Sequence, residues 1–315
     1  MKNIVKKFFE IYSIFLFIFK LKRIVKFNNK LVLLKIFFIR LFFSYPIIRN
    51  LNKCKIVSNI ENNEFFEDKI NSNFIVSNLE KKGFYQKILN KNLTNNIISE
   101  IPKLISNIGF KGRKKSVTNV EKFYCKDLFQ FKDFTCKKKI SHIQLVLDLN
   151  RESNFKKFIL SSFVKNIAFD YLNTKSISIG ARIFISNPIQ GGIRDFEKSA
   201  NAQKFHTDID YSKHFKIFIY LDDVLDQDGP HIFIPGTHKR KKFSHLLIKR
   251  YEDDIIYQNY SEKVKFTGKK GTIFFEDTFG FHKGTTPIEN SRIALVVVFG
   301  KGKIRYDKDH IILNK

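Results

Sequence analysis

The apolar and polar positions of this chain change rhythm after residue 140. From there, short segments alternate or run continuously apolar: ISHIQLVLDL (140–149), SISIGARIFIS (176–186), FKIFIYL (215–221), HIFIPG (231–236), GTIFFED (271–277) and RIALVVVFG (292–300). Each is bounded by Gly, Pro, Asn or Asp, and short runs punctuated in this way read as strands. Few helical patterns separate them, so they predict an antiparallel sandwich or jelly roll, not a parallel sheet with helical crossovers. Residues 51–140 read as mixed helix and loop, with a helix predicted over SNLEKKGFYQKILN (77–90).

Residues 1–50 have another texture, in which apolar runs such as IYSIFLFIF (11–19) and LVLLKIFFI (31–39) alternate with Lys and Arg clusters. No run reaches the roughly 20 residues of a membrane-crossing helix. The first run passes directly into KLKR (20–23) without a small-residue cleavage site, which argues against a secretory signal. Ile4, Phe8, Ile11, Phe15, Ile18 and Phe19 recur at helical spacing among Lys6, Lys7, Lys20, Lys22 and Arg23, the pattern of a basic amphipathic helix. Such a segment can lie on an anionic membrane surface or pack on the rest of the protein, with Pro46 closing a second helix. Both readings stand. The organisation expected is a basic N-terminal segment, 1–50, and one domain, 51–315, with its β core over about 140–302.

Fifty-seven Lys and Arg against thirty Asp and Glu give a net charge of +27, which raises nucleic acid or anionic membrane as partners. The excess is spread with abundant Asn, Ile and Phe, as an AT-rich coding sequence would produce. It comes with none of the signatures of nucleic-acid recognition, so nucleic acid is not an expected partner. Cys54, Cys125 and Cys136 are too few and too irregular for a disulfide framework or a C-x-x-C metal site. They predict reduced thiols and a cytoplasmic location, with membrane association through 1–50 left open.

The chemistry concentrates downstream. In KFHTDID (204–210), His206 and Asp208 stand two apart, so an extended backbone projects both side chains from one face. His282 follows an apolar strand in FEDTFGFHKG (275–284). Two imidazoles and a carboxylate on one face of an octahedral Fe(II) leave three positions, which suit a bidentate 2-oxo acid and dioxygen. Arg292 opens the last strong strand, where its guanidinium can chelate a carboxylate or merely face solvent. Arg182, on the strand 176–186, is a weaker candidate for the co-substrate or substrate. The polar stretch GGIRDFEKSANAQ (191–203) reads as a loop long enough to cover such a site.

These motifs resemble the phytanoyl-CoA dioxygenase family of Fe(II)/2-oxoglutarate-dependent oxygenases. The elements that carry the resemblance are FHTDID, then FKIFIYLDDVLDQDGP (215–230), HIFIPGTHK (231–239), and FEDTFGFHKG with Arg292. Asp223, Val224, Gly229, Pro230, Pro235, Gly236, Thr237 and His238 follow the family's DV, GP and PG(S/T)H string in order. Coverage runs from about 176 to 300; LEKKGFYQKILN (79–90) looks like the family's N-terminal helix, and 1–50 has no counterpart. Phe205 stands where members often have Trp.

The resemblance implies a cupin-like double-stranded β-helix with flanking helices. It also implies iron ligands His206, Asp208 and His282, with Arg292 on the distal carboxylate of 2-oxoglutarate. The expected activity is hydroxylation of a small-molecule or lipid-like substrate with O2, since halogenating relatives lack the carboxylate at the position of Asp208. His238 is expected to support its loop, and His142, His214, His231, His245 and His310 to be ordinary histidines. A non-catalytic jelly-roll binding module and a basic membrane-surface or nucleic-acid-binding protein are the rival classes.

Overall fold

A computed structural model describes residues 64–315 apart from 111–112, 116–117, 193–194, 209–210, 212, 243–244, 246–249 and 303–309. Two units are distinguished along the chain, 1–51 with 239–249, and 52–238 with 250–315. The fold described below belongs to the second. The amphipathic segment expected over 1–50 lies outside the described residues.

Among the described residues all strand pairings are antiparallel. The large sheet is built from β1 (Phe84–Ile88), β2 (Ile105–Phe110), β3 (Arg113–Lys115), β4 (His142–Leu147), β5 (Ser176–Ser186), β6 (His214–Tyr220), β9 (Thr272–Glu276) and β11 (Arg292–Lys301). Their order is β1-β9-β6-β11-β5-β4-β2-β3, and β12 (Ile311–Asn314) also pairs with β5. A smaller sheet has the order β10-β7-β8, from β7 (His231–Phe233), β8 (Val264–Phe266) and β10 (His282–Gly284). An isolated bridge between His206 and His282 extends it. Two antiparallel sheets with helices against the outer face of the larger one make the expected jelly roll.

Register decides what each face carries. Ile183, Leu295, Ile219 and Ile273 lie in one cross-strand row, and Arg182, Val296, Phe218 and Phe274 in the next. The odd-numbered residues of β5, β6, β9 and β11 join the large core beneath the helices, where Phe163, Val164, Ile167 and Phe169 of the helix Ser162–Leu172 meet them. Ser161 caps that helix by accepting the Val164 amide. Each fully buried Ile or Phe stabilises this layer by about 1.5–3 kcal/mol. Even-numbered Phe218, Tyr220, Phe274, Ala294 and Val296 form a second cluster, with Phe233 and Phe266 of the small sheet. Between its terminal Arg292 and Lys301, strand β11 carries no polar side chain because it lies between β5 and β6 with both faces covered.

The helix expected over 77–90 is corrected. A helix spans Ser72–Lys81, capped by Asn71, and Phe84–Ile88 is strand β1. Between them Gly83 has φ +89°, a left-handed conformation that ends the helix. The partner of Phe84–Ile88 is Thr272–Glu276, which sequence-local periodicity cannot reveal. The core likewise reaches outside 140–302, taking β1, β2, β3 and β12. In 191–203 the polar stretch contains a short helix, Asp195–Ala200. Among the described residues no helix is long and apolar enough to cross a membrane.

A Cβ on Gly83 would come within 2.5 Å of His238 Nδ1 and 2.8 Å of Phe233 Cζ, in a backbone conformation that side chains disfavour. Gly83→Ala is expected to destabilise the protein by about 1–3 kcal/mol. Urea denaturation measures this, and an unchanged midpoint would mean that the turn does not need glycine.

Candidate metal centre

His206 and His282 reach each other through paired backbone bonds, His206 N to His282 O and His282 N to His206 O, each 3.0 Å. The ladder sets their rings 4.2 Å apart. Asp208 is anchored by its own amide, which donates to Thr278 O at 2.9 Å. Residues 76 positions apart in sequence thus meet on one wall of a cavity of about 230 Å3, lined also by His142, His231, Arg250 and Arg292.

The orientation of both imidazoles suits metal binding. His206 Nδ1 lies 2.9 Å from Lys204 O and His282 Nδ1 lies 3.0 Å from Gly280 O. A carbonyl accepts only, so each Nδ1 carries the proton and each Nε2 turns a lone pair inward. The Nε2 atoms stand 3.7 and 3.3 Å from the two oxygens of Asp208, and the three donor groups lie within 4.8 Å of one another. Donors so placed can share one ion, whose bonds to N and O are about 2.0–2.2 Å. Among the described residues no fourth His, Cys, Asp or Glu completes the cluster, so the donor set is of the open type.

Charges match that arrangement. Burial holds the His206 pKa well below the usual histidine range, and the neighbouring His282 adds to the effect. Burial alone would raise the Asp208 carboxyl, but Lys216, His282 and His206 outweigh it and hold Asp208 well below the carboxylate range. Lys216 Nζ is 2.7 Å from Asp208 Oδ2. His282 is opposed by burial, yet its carboxylate neighbour raises it. Behind it, fully buried Glu276 is pushed up to about 8 by burial and bonds His231 Nε2 at 3.1 Å. The His231 ring stacks on His282 at 5.5 Å.

Arg292 opens β11 opposite Ser186 and is buried. Its Nη1 donates to the carbonyl of Gly229, and Nη2 lies 3.5 Å from Ser186 Oγ. Gly284 makes room: a Cβ there would meet Nη2 at 2.5 Å. Among the described residues no carboxylate pairs with this guanidinium, so a buried, permanent cation faces the cavity in need of an anion. Arg182 is not brought there. It shares the register of Phe184 but does not line the cavity, and Gln144 accepts from its Nε and Nη1 at 3.1 and 2.8 Å in the satisfied amide orientation.

The Pro-Gly-Thr-His turn is scaffolding. Thr237 Oγ1 donates to Ile234 O at 2.6 Å and accepts from Phe281 N at 2.8 Å, which steadies the strand carrying His282. His238 Nε2 lies 3.2 Å from Glu80 O, outside the cavity, as expected. Asp228 accepts from Leu225 N and Asn290 N at 2.8 and 3.2 Å, closing the turn whose Gly229 carbonyl holds Arg292.

His142 and His231 depart from the expectation of ordinary histidines, because both line the cavity. Lys216, Glu276 and Arg250 escaped sequence reasoning. Strand parity was the available signal for two of them: Lys216 and Glu276 share the even-numbered register of Phe218, Tyr220 and Phe274, the side opposite the helices.

No family model matches the chain, and no curated protein does. Solved structures similar to it include the non-heme alpha ketoglutarate dependent epimerase SnoN from nogalamycin biosynthesis, 10% identical, covering 73% of this chain and 83% of that one at a TM-score of 0.47. HygX from Streptomyces hygroscopicus, with nickel, 2-oxoglutarate and hygromycin B bound, is 10% identical over 72% and 86% at 0.47. EctD from S. alaskensis, with bound Fe, is 12% identical over 79% and 83% at 0.48.

His142 provides a test of cavity burial. Its ring stacks on Phe184 at 5.4 Å, and burial, reinforced by Arg292, lowers its pKa from 6.5 to about 4. The unfolded chain then binds a proton below pH 6.5 that the folded chain refuses until about 4, so stability is full above 6.5 and falls between those limits. His142→Phe should lose less stability than the wild type between pH 7 and pH 4.5, read from urea midpoints. Equal losses would show that His142 is not held neutral.

Proposed function

We propose that this chain is an Fe(II)- and 2-oxoglutarate-dependent oxygenase of the phytanoyl-CoA dioxygenase type that hydroxylates a small molecule. One observation carries the reading: two Nε2 lone pairs and an ionised Asp208 converge in a cavity that also receives the buried, carboxylate-free guanidinium of Arg292. His206, Asp208 and His282 would hold the iron, and Arg292 the distal carboxylate of 2-oxoglutarate. The ordered DV, GP and PG(S/T)H residues, with roles in carrying His282 and Arg292, support the family resemblance.

Iron held by His206, Asp208 and His282, with a 2-oxo acid as reductant and dioxygen as oxidant, would supply the oxidising power. The chain's own work is geometric and electrostatic. The Nδ1 carbonyl bonds fix both imidazoles in the ligating tautomer. Lys216 holds one oxygen of Asp208 and keeps the carboxylate ionised. Phe184, Phe218, Phe274 and Val296 wall the cavity with apolar surface that excludes water. A carboxylate at position 208, where halogenating relatives have a small residue, supports hydroxylation.

Anaerobic full-length protein should bind one Fe(II) and gain a visible charge-transfer band when 2-oxoglutarate is added. His206→Ala and His282→Ala should each abolish the band; a wild type no better than either variant would sink the assignment.

Arg292→Lys should weaken 2-oxoglutarate binding by about 1.5–3 kcal/mol while leaving iron affinity nearly unchanged, because lysine cannot form the two-pronged contact. Titrations of metal and co-substrate separate these effects. Equal losses of both would return Arg292 to a structural role.

A further inference from the structure

The oxygenase reading assigns three ligands and Arg292, and leaves a second cavity guanidinium without a task. Arg250 lines the same cavity as His206 and Asp208. Its position is set by the backbone: an isolated antiparallel bridge joins Phe205 and Tyr251, and Tyr251 N donates to Phe205 O at 2.8 Å. Residues flanking such a bridge face each other in turn, so Arg250 comes opposite His206 and shares its face. Arg292 enters from the large sheet, whereas Arg250 extends the small sheet beyond His206. The two cations reach the cavity from different walls.

What Arg250 lacks is a partner. Its Nη1 is buried and makes no hydrogen bond, and among the described residues no carboxylate lies within ion-pair distance of it. The nearest cavity acid, Asp208, is already committed to Lys216 at 2.7 Å and stands 3.3 and 3.7 Å from the imidazoles. Burial lowers the Arg250 pKa and Asp208 only partly opposes this. A metal ion held by Asp208 would draw on that charge and leave Arg250 further uncompensated. An arginine kept half-buried with an idle donor is costly unless something else fills the gap.

We infer that Arg250 is a specificity-determining residue that receives an oxyanion, carboxylate or phosphate, on the primary substrate of the proposed oxygenase. A guanidinium fork matches either group through paired hydrogen bonds. The position opposite a metal-ligand candidate would hold that anion beside the reacting centre, and the cavity's size restricts the substrate to a small molecule or the anionic end of a larger one.

The test uses full-length protein loaded anaerobically with Fe(II) and 2-oxoglutarate, titrated with hexanoate, hexyl phosphate and hexanol. At least one oxyanion probe should bind about tenfold or more tightly than hexanol, the difference expected of a charge-assisted contact. Arg250→Gln should erase that preference while holding 2-oxoglutarate affinity within about twofold, and Arg250→Lys should keep part of it. Equal binding of all three probes, or an undiminished preference in Arg250→Gln, overturns the inference. Loss of 2-oxoglutarate affinity in Arg250→Gln also overturns it, by moving Arg250 to the co-substrate. If the wild type shows no iron and 2-oxoglutarate band, the oxygenase reading fails separately. Equilibrium dialysis of the same probes against metal-free protein then still reads the role of Arg250.

Discussion

The ladder that locks β11 between β5 and β6 constrains everything else in the site. Ten residue pairs join β11 to β5 and seven join it to β6, so a shift of one residue on either side would break both registers at once. Such a shift would turn Arg292, Ala294 and Val296 into the helix-covered core and put Ile293, Leu295 and Val297 into the cavity. Burying an uncompensated guanidinium in that core costs far more than any one apolar contact returns. The same two-residue period places Lys216 and Glu276 beside each other on the cavity side, at one step of the β6–β9 ladder.

Within that frame the site is a problem of charge. Asp208, in a buried setting, stays ionised because Lys216 and two imidazoles surround it. Glu276, fully buried, is pushed up to about 8 by that burial and behaves as a neutral hydrogen-bonding group at neutral pH. Two carboxyl groups a short distance apart therefore take opposite protonation states, and the difference follows from their neighbours. The one that remains charged is the one placed between the two inward Nε2 atoms.

The two turns, at Asp228–Gly229 and Pro235–His238, work at one remove. Asp228 closes the turn that presents the Gly229 carbonyl to Arg292, and Thr237 bridges Ile234 and Phe281 beneath His282. Neither Asp228 nor Thr237 lines the cavity. Their chemistry is the satisfaction of backbone groups around irregular chain, and rigid backbone is what keeps a three-donor set from spreading.

Short apolar segments bounded by Gly, Pro, Asn or Asp determined the strands over 140–149, 176–186, 215–221, 231–236, 271–277 and 292–300, since a half-buried strand shows a two-residue period and a doubly covered one a continuous apolar run, both visible within a single segment. Residue chemistry singled out His206, Asp208, His282 and Arg292 as candidates, and the structure gathers those four around one cavity. Arg182, the weaker candidate, does not join the lining and instead meets Gln144 of the neighbouring strand β4. Only the tertiary structure decided that Phe84–Ile88 is a strand, since its partner lies near residue 274 and Gly83 breaks the helix that local spacing suggests. Only the tertiary structure placed His142, His231 and Arg250 at the cavity, because a residue's sheet neighbours are set by long-range pairing. A chain read in order carries the period of each strand but not the identity of the strand beside it.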